Sequence, residues 1–207
     1  VRDINSYVLA GMIQECGCMP VKMGILKDNY DQIRSAIERG LRDSAAVIVS
    51  GGTSVGTKDL IAGIIDDLGN PGVLFHGVSI KPGKPIIGGI VGGVPIFGLP
   101  GHPAAVGVCF DIFIRPVLRL LSGYRERFPG ADIRTVEARL TRNVSSSQGR
   151  EEHIRVALEQ REDGLWAVPV LGKSGLITTL VKADGTFVIP LNENGVEKGE
   201  VVEVRLV

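Results

Sequence analysis

The sequence contains few cysteines, and their spacing excludes two common kinds of small, cross-linked domain. Only three of the 207 residues are cysteine, an odd count. Cys16 and Cys18 are too close together for a disulfide framework, and Cys109 lies in an apolar segment that predicts a helix. No cysteine and histidine cluster has the spacing of a zinc site. We therefore interpret all three cysteines as packing residues of a protein from a reducing compartment.

The sequence also lacks a net charge and a long apolar run. Its 23 basic residues balance 23 acidic ones, so no overall field would recruit nucleic acid or an anionic membrane. No apolar stretch is long enough to cross a bilayer, and the first residues do not have the charged-then-apolar layout of a signal peptide. These absences predict a cytoplasmic protein with no nucleic-acid or membrane partner, in which any anion site is local.

The sequence does contain a change of periodicity past its middle. Up to about residue 121, helical patterns alternate with short β-branched runs, which predicts a doubly wound α/β sheet with helices on both faces. From about residue 132, short alternating segments between turns predict a small β-barrel or sandwich without helices. We assign residues 1–125 to the α/β domain and residues 126–207 to the β domain, joined by a polar linker.

The individual elements follow from the same periodicities. Helices are expected around residues 8–13, 33–41, 60–68 and 106–121. Strands of the α/β domain are expected at residues 20–25, 45–49, 73–75, 85–90 and 94–97. Strands of the β domain are expected at residues 134–140, 153–158, 165–170, 186–189 and 201–207.

A glycine-rich loop at residues 50–59 carries the strongest chemical signal. It follows a buried strand and precedes a helix, the place where open α/β sheets bind ligands. Gly51 and Gly52 can take positive φ and bring backbone N–H groups close to an anion. A carboxylate such as Asp59 beside a phosphate requires a divalent cation, so the loop suggests a magnesium-assisted phosphate or nucleotide site. The alternative is an ordinary turn in which Asp59 caps the following helix.

Two further loops of the α/β domain are candidates for binding. Residues 81–85, K-P-G-K-P, hold two ammonium groups on a proline-stiffened loop, which suits an oxyanion, although an exposed hairpin turn is the alternative. Residues 98–103, G-L-P-G-H-P, repeat the order of strand, glycine-rich turn and helix, so helix N-terminal amides could face a second ligand group. Within this loop His102 is either a proton carrier or a hydrogen-bonded loop histidine.

The β domain contributes two weaker signals. Arg150 follows a glycine, and Ser174 lies in the tight turn G-K-S-G at residues 172–175. A guanidinium and a hydroxyl in such turns can bind an oxyanion by charge and by donated hydrogen bonds.

Taken in order, these segments resemble the molybdopterin molybdenumtransferases, the MoeA type of family that also includes the gephyrin E domain. The resemblance covers essentially all 207 residues, and so many spaced motifs in order favour the family over a chance match. The matching motifs are N-S-Y at 5–7, the loop at 50–59, F-H-G-V at 75–78, K-P-G-K-P at 81–85, G-L-P-G-H-P at 98–103, G-R at 149–150, G-K-S-G at 172–175, and A-D-G at 183–185 leading to V-I-P at 188–190.

The resemblance implies a specific reaction. Such enzymes insert molybdate into adenylylated molybdopterin and release AMP, with Mg2+ aiding cleavage of the phosphoanhydride. The α/β part would be the molybdopterin-binding, MogA-like domain, and the β part the C-terminal β-barrel-like domain of the family. The implied partners are molybdopterin adenylyltransferase and the molybdoenzymes of the pathway, and the complete protein would be a homodimer.

The resemblance also implies a role for each matching residue. Catalytic roles would fall to Asp59, Lys81 and Lys84, with Asp59 also binding the metal. The cofactor-binding residues would be Ser50, Gly51, Gly52, Thr53, Ser54, Pro100, Gly101 and Pro103. Molybdate would be contacted by Lys81, Lys84, Pro85, Arg150 and Ser174.

Two departures from the family pattern leave alternatives open. His102 stands where the family usually has asparagine. Complete members carry two further N-terminal domains and a strand with the motif S-T-G-D-E before the first helix, so the α/β domain here is expected to lack its first strand, as in a C-terminal fragment or short form. A non-catalytic binding or scaffold fragment is therefore one alternative. A molybdopterin adenylyltransferase is another, although such a protein would lack the β domain.

Overall fold

The computed structural model describes residues 3–51, 58–124, 134–170, 172 and 178–206, and of residues 58, 59, 178 and 179 it describes the backbone. The chain forms two compact units. The first comprises Val1–Val78 and Gly83–Arg125, and the second comprises Ser79–Pro82 and Glu126–Val207. The single boundary predicted at residue 125 therefore misses a short excursion, in which the chain enters the second unit at Ser79 and returns at Gly83.

The elements of the described residues are as follows in chain order. The helices are α1 (Asn5–Glu15), α2 (Tyr30–Asp43), α3 (Lys58–Leu68), α4 (Pro103–Cys109), α5 (Arg115–Leu121) and α6 (Thr178–Val181), and a π-helical turn, Phe110–Ile114, joins α4 to α5. The strands are β1 (Val47–Ser50), β2 (Gly72–His76), β3 (Ile80–Lys81), β4 (Ile87–Val91), β5 (Val94–Leu99), β6 (Thr135–Leu140), β7 (Val144–Ser145), β8 (Glu151–Arg161), β9 (Gly164–Pro169), β10 (Gly185–Ile189), β11 (Gly195–Val196) and β12 (Val201–Leu206). None of the described helices combines the length and apolarity that crossing a bilayer requires.

Local hydrogen bonds explain where the first two helices begin. The Asn29 side chain accepts a hydrogen bond from the Gln32 N–H at 3.0 Å, which caps α2. At α1 the Asp3 carboxylate accepts from the Ser6 N–H at 3.0 Å. Hydrogen bonds from the Ser6 side chain and backbone lower the pKa of Asp3 below its usual value, so Asp3 is charged at the helix N-terminus at neutral pH.

The first unit is a mixed sheet of order β1-β5-β4-β2, in which β1 and β5 are parallel and the other pairs antiparallel. On one face Ile87 and Ile96 pack with Ile64 of α3 in a core that α2 also enters. On the other face, next to Gly88, the ring of Phe75 lies 5.5 Å from that of Phe113 in the π-helical turn. Because neighbouring strand residues face opposite sides, helices cover both faces, and the predicted α/β fold is confirmed.

The second unit is a closed five-stranded barrel, so the barrel is confirmed over the sandwich. Its strands follow the ring β10-β12-β6-β9-β8 and close by pairing of β10 with β8. The short strand β3 adds to this barrel, parallel to the start of β8, with Ile80 opposite Glu151 and Lys81 opposite Glu152. The barrel is filled by buried apolar side chains, namely those of Ala138, Leu140, Val144, Ile154, Val156, Ala167, Phe187, Ile189, Val202 and Val204.

One predicted strand was wrong, and four observed elements were not predicted. The strand predicted at residues 20–25 does not form, and Val21 and Ile25 are 70% and 78% exposed. Alternating apolar residues need a neighbouring strand, and none of the described strands pairs with this segment. The strands β3, β7 and β11 have two residues each, too short to show a period. The helix α6 also breaks the prediction that no helix follows residue 132.

Candidate functional site

Three segments of the first unit meet at the carboxyl ends of the parallel strands β1 and β5. The Asn5 amide, at the start of α1, donates to Ser50 Oγ at 2.9 Å and to the Gly101 carbonyl oxygen at 3.0 Å. The Gly51 N–H donates to the Leu99 carbonyl oxygen at 3.1 Å. The helix start, the end of β1 and the loop after β5 are therefore tied into one cluster at the edge where such sheets bind ligands.

This cluster contains five of the residues predicted to bind the cofactor. They are Ser50, Gly51, Pro100, Gly101 and Pro103, the last of which begins α4. A side chain at Gly101 would touch the Gly51 backbone, since a Cβ there would lie 3.8 Å from the Gly51 Cα. The other predicted members, Gly52, Thr53 and Ser54, lie outside the described residues.

Two polar side chains of the cluster have hydrogen-bonding capacity that the described residues leave open. The Oδ1 atom of Asn5 is buried and accepts no hydrogen bond from the described residues, so it is open to a donor from elsewhere. His102 precedes α4 as its N-cap residue, is exposed, and makes no side-chain hydrogen bond that caps the helix. The cluster thus offers one buried acceptor and one exposed imidazole to a ligand.

Asp59 lies in the first turn of α3, which begins at Lys58. This position is inside the helix, one residue beyond its start, and does not match the N-cap alternative. The carboxylate of Asp59 lies outside the described side chains, and its predicted metal role remains a prediction. Among the described residues no group of three or more histidine, cysteine or acidic side chains could hold a metal ion.

The segment around the second lysine, Lys84, is held by backbone hydrogen bonds, whereas Lys81 lies in strand β3. The Gly77 N–H donates to the Ile86 carbonyl oxygen at 2.8 Å, and the Val78 N–H donates to that of Lys84 at 2.9 Å. Gly83 has a φ of 120°, which side chains rarely allow, so this position requires glycine. Lys84 is exposed and Pro85 half-buried at the return of the chain into the first unit.

The buried thiol of Cys109 forms a hydrogen bond with the backbone of this segment. Its Sγ donates to the Gly83 carbonyl oxygen at 3.6 Å, and the residue is fully buried. Burial raises the pKa of the Cys109 thiol to about 12, so the group stays protonated and keeps its donor at neutral pH. Cys109 therefore contributes a hydrogen bond in addition to the packing predicted from the sequence.

Lys81 belongs to the second unit and is paired with a buried carboxylate. Its Nζ lies 2.8 Å from Glu152 Oε1, and the Ser146 hydroxyl donates to Glu152 Oε2 at 3.0 Å. The Lys81 side chain is 52% exposed, whereas that of Glu152 is 11% exposed. The ammonium thus contacts the Glu152 carboxylate on one side and is open to solvent on the other.

Arg150 immediately precedes β8 and comes next to the strand that carries Lys81. The N–H of Glu151 donates to the Ser79 carbonyl oxygen at 2.9 Å, which fixes the two segments side by side. Arg150 is exposed, and within the described part of the chain its guanidinium forms no ion pair. Two of the predicted molybdate residues are therefore neighbours in one unit, while Ser174 lies outside the described residues.

Glu152 was missed by the sequence analysis, although a signal for it exists. Along β8 the inward positions are Glu152, Ile154 and Val156, so a carboxylate stands where the alternation calls for an apolar residue. Such a charge is buried only when it has partners. Asn5 was noticed only as part of a motif, because its two hydrogen-bond partners are far away in sequence.

An open cleft of about 470 Å3 lies at the other end of α1 and contains none of the predicted site residues. It is lined by Glu15, Cys16, Arg119, Ser122, Gly123 and Tyr124. The cleft is therefore separate from the chemistry at the N-terminal end of that helix.

Comparison with known proteins matches two family models to most of the chain. Residues 1–120 match the family described as a probable molybdopterin binding domain, and residues 137–207 match the MoeA C-terminal region, domain IV. A molybdopterin biosynthesis protein of Methanocaldococcus jannaschii is 36% identical over 206 residues, covering 100% of this chain and 47% of its own length. A molybdopterin molybdenumtransferase of a Nostoc species is 34% identical over 210 residues, covering 99% and 47%.

A solved structure agrees with these matches. The crystal structure of a molybdopterin biosynthesis MoeA protein from Pyrococcus horikoshii is similar with a TM-score of 0.84 and 35% identity. The similarity covers 100% of this chain and 48% of that one. The chain thus spans about half the length of the curated relatives it matches.

Proposed function

Because this chain belongs to the molybdopterin molybdenumtransferase family, we propose that it supplies the molybdopterin-binding and molybdate-binding parts of such an enzyme. The reaction is the insertion of molybdate into adenylylated molybdopterin with release of AMP, as a step of molybdenum cofactor biosynthesis. The chain spans about half of its relatives, and the activity of the whole protein is part of the proposal.

One observation carries the molybdate site. Strand β3 leaves the α/β unit to pair with β8, and this pairing sets Lys81 beside the segment that begins with Arg150. A tetrahedral dianion is bound by cations and hydrogen-bond donors from several segments. An exposed guanidinium and a half-exposed ammonium on adjacent segments support such a site. We assign Lys84, Pro85 and Ser174 to the same site by family position.

The pterin side of the substrate is assigned to the cluster around Asn5. Its glycines at 51 and 101 leave room for close backbone approach, and the buried Asn5 Oδ1 can accept a hydrogen bond from a ligand N–H. Gly52, Thr53 and Ser54 extend this assignment by family position. Mg2+, bound by Asp59, would aid cleavage of the phosphoanhydride.

The remaining parts of the proposal concern the cellular setting. We expect the complete protein to be a cytoplasmic homodimer that receives its substrate from molybdopterin adenylyltransferase and passes the cofactor to molybdoenzymes. The match of residues 137–207 to the MoeA C-terminal region favours a molybdenumtransferase over a molybdopterin adenylyltransferase, which would lack this domain.

Molybdate binding tests the proposal directly. Isothermal titration of the chain with molybdate should show a single class of site, and Arg150→Met should weaken binding about tenfold or more, as loss of a charge-assisted bond does. The control is Lys198→Met, which removes an exposed cation elsewhere in the same unit. Equal effects of the two substitutions would show that only general charge attraction is involved.

A second assay separates an enzyme from a non-catalytic binding fragment. Nucleotide-dependent incorporation of molybdate into adenylylated molybdopterin is measured for this chain beside a complete relative. Incorporation with AMP release supports the enzyme, and binding of molybdate without incorporation supports the binding fragment.

A further inference from the structure

Glu152, taken as a whole residue, is the most completely buried charged residue in the described part of the chain. The whole residue is 8% exposed, and among the described residues each carboxylate oxygen has one donor, Lys81 Nζ at 2.8 Å for Oε1 and the Ser146 hydroxyl at 3.0 Å for Oε2. A buried carboxylate without partners is strongly unfavourable, so these two contacts are a condition for its burial. Glu152 is thus fixed in place by both the barrel and its hydrogen bonds.

Lys81, by contrast, forms no ion pair with any other side chain that the structure describes. Strand β3 has two residues, and the lysine stem has several rotatable bonds that would otherwise let the ammonium move freely. The register that places Lys81 opposite Glu152 brings the ammonium onto the carboxylate. An ammonium has three donors, of which Glu152 receives one, so the half-exposed side keeps donors for an anion.

We propose that Glu152 is a positioning residue, which holds the Lys81 ammonium ready to receive an oxyanion. The inference rests on the proposed function, since molybdate is the anion assigned there to Lys81. Glu152 does not touch the anion and acts through Lys81.

Two effects of Glu152 on an anion have opposite signs, which makes the proposal testable. By charge alone, the carboxylate repels a dianion, and its removal would strengthen molybdate binding. By positioning, its removal frees the ammonium, and molybdate binding weakens because the lysine must be ordered again at each binding event. The proposal requires that the second effect be larger.

A double-mutant cycle measures this difference. Molybdate affinity is determined by titration for the unaltered chain, Glu152→Gln, Lys81→Met and the double variant. We expect Glu152→Gln to weaken binding about tenfold, and to change it less than about twofold when Lys81 is already methionine. Tighter or unchanged binding by Glu152→Gln overturns the proposal, as does an equal loss in both backgrounds, because Glu152 would then not act through Lys81.

A second measurement does not depend on molybdate. The rate at which acetic anhydride acylates Lys81 is followed by mass spectrometry, with the exposed Lys84 as an internal reference three residues further on. Lys81 should react more slowly than Lys84, and Glu152→Gln should raise its rate toward that of Lys84. An unchanged Lys81 rate overturns the positioning role. A released Lys81 in a chain that binds no molybdate keeps the positioning role and refutes the proposed molybdate site.

Ser146→Ala provides a variant that keeps both charges. If Glu152→Gln does not fold, as judged by circular dichroism, the same two measurements are made on Ser146→Ala. Loss of the hydroxyl donor to Glu152 Oε2 should loosen the carboxylate and weaken molybdate binding about two- to threefold with faster acylation of Lys81. No change in either measurement overturns the proposal.

Discussion

At the scale of single residues, Asn5 connects the start of α1 to both strand ends of the proposed pterin site. Asn5→Leu keeps the branching at Cγ and removes the bonds to Ser50 and Gly101, so we expect the free energy of unfolding to fall by about 1–3 kcal/mol. Molybdopterin binding should also weaken, because the same bonds hold the proposed pterin site together. The control is Asn29→Ala, which removes the α2 cap for about 1 kcal/mol away from the cluster. Urea unfolding and ligand titration are measured, and equal molybdopterin affinity in both variants would contradict the role of Asn5.

Asp59 lies in the first turn of α3, and its metal role remains a prediction. In the complete enzyme, Asp59→Asn should leave the fold intact and slow molybdate incorporation about a hundredfold or more, as loss of an electrostatic catalytic group does. A helix-stabilising role alone predicts a stability loss of at most about 1 kcal/mol with turnover unchanged. The rate of incorporation and the urea midpoint, measured on the same variant, distinguish the two roles.

The three cysteines should differ in reactivity toward iodoacetamide. Cys109 is fully buried and has its pKa raised to about 12, so its thiol should stay unmodified in the native protein at pH 8. Burial also raises the pKa of half-buried Cys16, which should react more slowly than Cys18. Urea should expose all three, and mass spectrometry counts them. Modification of native Cys109 at the rate of Cys18 would contradict its burial.

The raised pKa of Cys109 also has a defined effect on stability. Because the folded-state pKa lies above the ordinary value of 9.0, the protonated thiol favours the folded state. The stability that the protonated Cys109 thiol contributes is fully present below about pH 9 and is lost as the pH rises toward 12.

At the scale of elements, the glycines of β4 make room for the Phe75 ring of β2 and for Ile65 of α3. A Cβ at Gly88 would lie 2.3 Å from the Phe75 ring, so Gly88→Ala should destabilise the first unit by about 1–3 kcal/mol. At Gly63, inside α3, a Cβ would have none of the described atoms within 4 Å apart from the backbone of its own helix. Gly63→Ala should therefore stabilise the protein by about 0.5–1 kcal/mol. Urea midpoints are compared, and a stable Gly88→Ala would contradict the packing of Phe75.

Elements with a clear period were predictable from sequence. The helices α1, α2 and α3 each place apolar residues at helical spacing. The longer strands are short apolar runs in the α/β unit and alternating segments in the barrel, so helices and strands were both found within a few residues. The segment at 20–25 alternates in the same way and yet forms no strand, because pairing depends on a neighbour that the segment itself does not encode.

The candidate site was only partly predictable for a related reason. Glycine, lysine and arginine in tight turns are visible locally, so Gly51, Lys81 and Arg150 were singled out. Glu152 acquires its role from a strand pairing between distant segments, and nothing in its immediate neighbours shows that Lys81 will lie opposite. Contacts of this kind depend on which distant strands pair with each other, and a short stretch of sequence does not show that pairing.

At the scale of the whole molecule, each unit has its own core, and we expect the two to unfold separately. Ile189 and Ile64 are both fully buried, the first in the barrel and the second in the α/β unit. Replacement of either by valine should cost about 0.5–1.5 kcal/mol. Fluorescence of Trp166, the single tryptophan, reports on the barrel, and helix circular dichroism reports mainly on the α/β unit.

Each isoleucine variant should therefore shift a different transition. Ile189→Val should lower the urea midpoint seen by Trp166 fluorescence, and Ile64→Val the midpoint seen by circular dichroism. A parallel shift of both signals in either variant would show instead that the chain unfolds as one cooperative unit.

The excursion of β3 into the barrel sets an order of events during synthesis. Lys81 leaves the ribosome about seventy residues before Glu152, which at roughly 5–20 residues per second is about 4–14 s. During that time the α/β unit can assemble while β8, the barrel partner of β3, has not yet been made. The barrel that receives β3 closes only after β12 has been released, since β12 lies between β10 and β6. The ion pair of Lys81 and Glu152 therefore cannot reach its final setting until almost all of the described chain has emerged.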